Sequence, residues 1–470
     1  MKIIDGSKIG RAEVEKLLRK KSFDEIELPQ KIRSANKKIF GKDLTASEVV
    51  KKIVDDVRKN GDAAVIDYTK KFDGVKLDAE NFSVTDDEIA AAENSVDKKV
   101  FDSLKRAAEN ISRYHAEQLP KSWITYRGEN SILGQSIIPL ERVGVYIPGG
   151  LASYPSSVLM NVIPAKVAGV NEIIMCVPSK GGKINPYVLT AAKLAGADKI
   201  FKIGGAQAIA AMAFGTSTIP RVNKITGPGN IFVTLAKKEV YGHCDIDMLA
   251  GPSEILIIAD NDANPIYAAA DMLSQAEHDP LACSIVITTN FELAKKIFSQ
   301  VEWQLKKLPR KEIAAASIET NGLIVVAKNL DEAVEFANIS APEHLELLVK
   351  NPFELLPKIK NAGAIFLGEN SPEPLGDYFA GPNHVLPTGG TASFYSVLNV
   401  ETFLKRTSLI SYTRKDLLTA ADDIIRLAEV EGLNAHANAI SIRKTYNFKP
   451  ATSNVKLDDG DFKPKKFFLS

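Results

Sequence analysis

The chain has 470 residues, 45% of them hydrophobic and 25% charged, a globular composition with room for two or three full cores that excludes disorder and fibre. Its 59 basic and 58 acidic residues leave a net charge of +1, so no electrostatic case exists for nucleic acid or an anionic membrane surface, and the expected partner is a small molecule. The opening Met1-Lys-Ile-Ile-Asp-Gly-Ser-Lys has no apolar signal core. No later apolar run approaches the ~20 residues a bilayer needs, and a cytoplasmic address is expected.

Residues 1–40 are lysine-rich and weakly periodic, which predicts a short helical segment. From Thr45 to Asn60, apolar Val50, Ile53, Val54 and Val57 recur at helical spacing, and Asn60-Gly61 suits a left-handed cap. Thr85 and Glu88 form a capping-box pattern opening a helix that the polar–apolar repeat carries through Tyr114 before Pro120. From Arg142 the texture changes to short β-branched runs alternating with helical segments. Strands are expected at Arg142–Ile147, Glu172–Val177, Lys199–Ile203 and Val222–Thr226, then at Glu254–Ala259, Ser284–Thr288, Leu323–Ala327 and Ala364–Leu367. That alternation is the signature of βαβ units, and the two arrays predict two parallel sheets. Asn185-Pro after the second strand and Asn264-Pro after the fifth give a faint internal echo, compatible with duplication or with chance. Helices are expected again over Asp416–Glu431 and through Arg443, while Lys444 to Ser470 is basic and aromatic without clear periodicity. Cys176, Cys244 and Cys283 lack metal spacing and read as reduced core residues.

The chemistry is expected around Ala337-Asn-Ile-Ser-Ala-Pro-Glu-His-Leu-Glu346, which sets the carboxylate of Glu343 beside the imidazole of His344. Pro342 should end the preceding helical pattern and turn the chain into an extended run, with Leu345, Leu347 and Val349 on a strand. Neighbours on such a segment face opposite ways, so the pair is expected to play two roles: an imidazole to shuttle a proton off an alcohol and a carboxylate to activate water. Solvation of a turn by Glu343 and a core position for His344 is the bland alternative. No dinucleotide fingerprint or P-loop occurs. Glycine-marked turns stand instead at three strand ends, Tyr146-Ile-Pro-Gly-Gly150, Gly204-Gly-Ala-Gln-Ala208 and Thr226-Gly-Pro-Gly-Asn230, where ligands collect on a parallel sheet. Gln207 and Asn230 offer amides there. Gln275 and His278, three apart in a helical pattern, share a face. Adding Asp377 and His436 gives two nitrogens and two oxygens, a set that fits zinc and also manganese or cobalt.

Those stretches, with Ala250-Gly-Pro-Ser-Glu, Ser274-Gln-Ala-Glu-His, Gly376-Asp-Tyr, Gly381-Pro-Asn-His-Val-Leu-Pro-Thr-Gly-Gly and Glu431-Gly-Leu-Asn-Ala-His, resemble the histidinol dehydrogenase family from about Arg142 to Arg443. The resemblance implies oxidation of L-histidinol to L-histidine in two NAD-dependent steps through a bound aldehyde, in the last steps of histidine biosynthesis. It implies one zinc per subunit on Gln275, His278, Asp377 and His436. His344 would be the general base and Glu343 the water-activating carboxylate. Ser253, His384 and Glu431 would hold substrate together with His344 and the zinc ligands, and Tyr146, Gln207 and Asn230 would contact NAD.

The implied form is a homodimer of two incomplete Rossmann-like parallel-sheet domains with exchanged terminal segments, His436 completing the partner's site. The expected division is an N-terminal helical segment over 1–40, a first α/β domain of 41–125 plus 250–395, a second of 126–249, and a C-terminal helical segment and tail over 396–470. A relative on the same scaffold oxidising another amino or sulfonated alcohol is the nearest alternative. A noncatalytic metal-binding module is the rival from another class, and it would leave Glu343 and His344 idle.

Overall fold

The structure, a computed structural model, describes residues 1–20, 28–78, 81–149 and 153–445. Gly150 of the first glycine turn and the tail beyond Thr445 lie outside these residues. The chain divides into two compact units, Met1–Pro120 with Ile138–Lys405, and Lys121–Ile137 with Arg406–Ser470.

The first unit holds two parallel sheets. Five strands, β4 (Arg142–Tyr146), β5 (Glu172–Cys176), β6 (Lys199–Phe201), β7 (Lys224–Thr226) and β8 (Asp245–Ile246), form one in the order β6-β5-β4-β7-β8. Six form the other in the order β1-β11-β10-β9-β12-β13. These are β1 (Lys2–Asp5), β9 (Glu254–Ala259), β10 (Cys283–Thr288), β11 (Gly322–Val326), β12 (His344–Leu348) and β13 (Ala364–Leu367). Both sheets are covered on both faces, as parallel sheets require. Alternate residues of one strand enter different cores: Ile255 and Ile257 pack on one side of the six-stranded sheet, Leu256 and Ile258 on the other. The two arrays expected from the sequence are therefore present. The paired Asn-Pro signals also act alike, since Asn185 and Asn264 each cap a helix whose first residue is the proline.

The N-terminal segment was expected to be helical, yet its first element is β1, an edge strand paired with β11 through Ile3 opposite Ile324. Four residues are too few for a periodicity to register. Helix Ala46–Asn60 begins with a complete Thr45/Glu48 capping box and ends at Gly61, with φ 53°. Its buried Val50, Ile53, Val54 and Val57 pack against the alanine-rich helix Gly205–Phe214 and helix Ile231–Val240. Residues 41–125, which the sequence reading groups with 250–395, thus supply helices to the five-stranded sheet. The Thr85/Glu88 box also forms, but the long helix expected from it breaks into Asp86–Ser95 and Lys98–Ala116, because Asp97 caps a second start by accepting from Lys99 and Val100 N–H.

In the second unit β2 (Trp123–Arg127), β3 (Ser131–Pro139) and β14 (Leu404–Ser411) make a sheet in the order β14-β3-β2, with β2 and β3 antiparallel. Helices Arg414–Val430 and Asn434–Thr445 follow, as their periodicity predicts. Asp416 anchors the first of them by accepting from Glu129 N–H at 2.9 Å and from the Ser131 and Thr413 hydroxyls.

Candidate active site

Helix Leu330–Ser340 leads into β12, which lies between β9 and the edge strand β13 of the six-stranded sheet. Ala341 closes the helix in a left-handed conformation, φ 43°, its N–H bonded to Ala337 O at 2.9 Å. Pro342 ends the helical pattern as expected, and the extended run begins only after this turn. A non-glycine residue there is strained backbone next to the reactive pair. β12 starts only at His344, so Glu343 lies in the turn and the two side chains do not face opposite ways. Both converge on the main chain of Glu254: its N–H donates to Glu343 Oε2 at 2.7 Å, and its carbonyl accepts from His344 Nδ1 at 2.9 Å. Glu343 Oε2 and His344 Nδ1 lie 3.6 Å apart.

A carbonyl can only accept, so Nδ1 carries the proton and the neutral ring keeps its lone pair on Nε2. That nitrogen is buried, has no hydrogen-bond partner, and stands 3.6 Å from Asp377 Oδ1. Burial raises the Glu343 carboxyl to about 8 despite the nearby imidazole. Burial opposes the charged form of His344 as well, but Glu343 and Asp377 outweigh it and lift the imidazole to about 10.

Asp377 belongs to the short helix Glu373–Tyr378, one turn after Glu373. His278 follows helix Pro265–Ala276, just beyond its last turn rather than within it. One donor atom each from His278, Glu373 and Asp377 fall within 4.8 Å of one another. Gln275, 1% exposed, carries an unpartnered buried Oε1 at the end of the same helix. Burial holds His278 below its ordinary value, favouring the neutral, ligating ring. For Asp377, burial works against ionisation, yet His344 and His384 prevail and keep the carboxylate well below the usual range. Unprotonated nitrogen, carboxylate oxygen and orphaned amide oxygen are donors that zinc accepts, so the residues present fit the metal.

Around this cluster, His384 Nδ1 donates to Asp377 O at 2.9 Å, and its Nε2 meets Ser157 Oγ at 3.2 Å. Ser253 lies in the loop leading to β9, its carbonyl accepting from Cys283 N–H at 3.0 Å. Glu431 and His436 are placed in the second unit, at the end of helix Arg414–Val430 and in helix Asn434–Thr445, both exposed.

Four further acids went unnoticed in the sequence. Glu373 accepts from Ser274 Oγ at 2.8 Å and is raised by burial to about 8. Glu346, wholly buried on β12, takes Glu373 N–H at 2.7 Å, and burial raises it well above its ordinary value beside Asp271. Glu254 receives Gly389 N–H at 3.1 Å. The available signal was charge inside otherwise apolar strands, at Glu346 of His-Leu-Glu-Leu-Leu and Glu254 of Glu-Ile-Leu-Ile-Ile-Ala.

The carboxyl ends of the five-stranded sheet open on a cleft of about 760 Å³ lined by Tyr146, Gln207 and Asn230. Tyr146 ends β4, its hydroxyl accepting from Gly205 N–H at 3.1 Å. Gln207 is buried in helix Gly205–Phe214, and Asn230 caps helix Ile231–Val240 through Oδ1, leaving its amide nitrogen uncommitted to the cap. Gly205, at φ +66°, is where a Cβ would stand 2.8 Å from Gln207 Oε1. Lys31, Lys71 and Lys180 add positive charge to the wall, and helix Gln30–Phe40 supplies much of its apolar surface.

Two parallel sheets, a cleft of dinucleotide size at the strand ends of one, and a buried imidazole beside a cation-competent donor set at the other define an α/β oxidoreductase. Residues 37–444 match the family described as histidinol dehydrogenase. Relatives carrying that description come from Heliobacterium mobile, 56% identical over 402 residues covering 85% of this chain and 94% of the relative, and from Carboxydothermus hydrogenoformans, 56% identical over 394 residues covering 84% and 93%. The crystal structure of histidinol dehydrogenase from Elizabethkingia anophelis superposes with a TM-score of 0.84 at 38% identity, covering 94% of this chain and 97% of that one. The chain belongs to the histidinol dehydrogenase family and is an enzyme of the final steps of histidine biosynthesis. Among the described residues no helix is long and apolar enough to cross a membrane.

Proposed function

We propose that the protein oxidises L-histidinol to L-histidine through a bound aldehyde, as a cytoplasmic homodimer using NAD and one zinc per subunit. The observation that carries this reading is the buried His344 Nε2, without a hydrogen-bond partner and 3.6 Å from Asp377 in the cluster that would hold the metal; a cation on Asp377 would offset the charge that favours the protonated ring and leave Nε2 free to accept a proton. Gln275, His278 and Asp377, with His436 of the partner subunit, would hold zinc, which when bound polarises and orients the substrate's nitrogen and oxygen, while NAD, when bound, takes up each hydride.

His344 removes the alcohol proton in the first oxidation, its ring held in one tautomer by Glu254 O. Glu343, fixed 3.6 Å away on the Glu254 N–H, takes a proton from the water that adds to the aldehyde, and its raised carboxyl makes its ionised form a stronger base than an ordinary carboxylate. His384, Ser253 and Glu431 orient the substrate. Tyr146, Gln207 and Asn230 contact the dinucleotide, and the lysines of the cleft suit its pyrophosphate. The test is NADH formed per L-histidinol consumed, with and without a chelator. Two NADH per substrate, lost on chelation and restored by zinc, supports the reading; turnover of another alcohol in preference, or of none, overturns it.

A further inference from the structure

Among the polar side chains of helix Ile231–Val240 and its cap, Asn230, Thr234 and Lys237 are spaced four and three residues apart so that they share one face. Each engages a different loop. Asn230 lines the cofactor cleft. The Thr234 hydroxyl donates to Ala250 O at 2.7 Å, in the loop that runs to Ser253. Lys237, its side chain 2% exposed, donates to Gly227 O at 3.0 Å and forms an ion pair with Asp247, whose side chain is 1% exposed. Asp247 Oδ2 in turn accepts from Gly227 N–H at 2.8 Å.

One buried ion pair therefore holds both main-chain polar groups of Gly227. That glycine has φ +109°, and a Cβ on it would lie 2.0 Å from Tyr146 O, so the Gly227-Pro-Gly-Asn230 turn rests directly on the main chain of Tyr146. Taking two charges out of water is costly, and packed apolar residues of similar volume would fill the space at less cost. What apolar residues cannot supply is a donor and an acceptor set at fixed positions on either side of Gly227. Its loop carries one cofactor-cleft residue and touches a second.

We propose that Lys237 and Asp247 are positioning residues for the dinucleotide: by pinning Gly227 they set the Asn230 amide and the Tyr146 wall at the spacing the cofactor requires. This rests on the cleft being the NAD site. The test compares Lys237→Met, the charge-matched double variant Lys237→Met/Asp247→Asn, and the milder Asp247→Asn, reading NADH binding by fluorescence titration, KM for NAD and for L-histidinol, zinc content and melting temperature. The expected result is a rise in the NADH dissociation constant and in KM for NAD on the order of tenfold or more, with zinc content and KM for L-histidinol unmoved.

NADH binding unchanged in a folded variant overturns the proposal. So does a parallel loss of zinc, substrate and cofactor affinity, which marks a general structural role. If Lys237→Met does not fold, the double variant and Asp247→Asn decide the question by the same split. Asn230→Ala and Gln207→Ala separate the two premises: if they also leave NADH binding untouched, the cleft is not the cofactor site, whereas weakened binding in them alone rejects only the positioning role.

Discussion

The cleft at the carboxyl ends of the five-stranded sheet, proposed above for the cofactor, and the carboxylate–imidazole cluster at the amino ends of β9 and β12 are built in opposite ways. In the cleft, the Tyr146 hydroxyl and Asn230 Oδ1 already have protein partners, in Gly205 N–H and in Phe232 and Val233 N–H. In the cluster, His344 Nε2, Gln275 Oε1 and Glu346 Oε2 are buried without one, and Glu343 and Glu373 are raised by burial to about 8. A site that must present a surface to a dinucleotide can be satisfied in advance. One that must exchange protons and coordinate an ion keeps unsatisfied donors and acceptors, and the fold supports their desolvation cost.

If that contrast is real, the largest losses come from the cluster. His344→Asn removes the acceptor at Nε2 and should lower turnover roughly a hundred- to ten-thousand-fold while zinc content by elemental analysis stays intact; near-normal rates would end the assignment of the base. Asp377→Asn should next lower metal affinity, by roughly 10–100-fold, read as zinc retained against a chelator, with NADH binding unaffected. Loss of NADH binding in that variant would erase the separation between the two sites. On the cleft side, Gly205→Ala forces a side chain onto a residue at φ +66° and against Gln207. It should destabilise by about 1–2 kcal/mol and weaken NADH binding with zinc content unchanged.

The same contrast explains what could be seen in the sequence. Parallel strands buried on both faces are continuous apolar runs, so Glu254–Ala259 and Ala364–Leu367 are found at the positions their residues predict. Glycine turns at strand ends are local signals, and Tyr146, Gln207 and Asn230, which stand at them, do share one cleft. Gln275 and His278 were linked by their helical spacing and Asp377 offered itself as a further donor, but only the family resemblance united residues a hundred positions apart. Glu373 needed only a one-turn step from Asp377, but an acid on a helix is ordinarily read as solvated. The Lys237–Asp247 pair was invisible for a different reason: Lys237 sits near a helix end among other charges, and nothing local distinguishes a buried lysine from an exposed one. Strand β1 was missed because it is completed by residues more than three hundred positions away.

The smallest expected effect is thermodynamic and tests the comparison without any ligand. A carboxyl whose folded value is raised holds its proton longer in the folded state than in the unfolded chain, so stability is lost as pH rises from its ordinary range through the folded value. For Glu343 that window runs from the usual glutamate range near 4.5 up to about 8. His344 adds a loss of the same sign higher up, because its folded value of about 10 exceeds the ordinary 6.5 and its favourable interactions fade as the ring is deprotonated. The metal-free protein should accordingly melt at progressively lower temperature between about pH 5 and pH 8, and Glu343→Gln should flatten that decline. Gly205→Ala should shift the whole melting curve down without changing its slope between pH 5 and pH 8, because the Tyr146 hydroxyl and Gln207 amide it disturbs do not titrate there. Equal slopes in wild type and Glu343→Gln would mean that Glu343 is not the strained acid the structure describes, and the two sites would then differ in shape but not in how they are held.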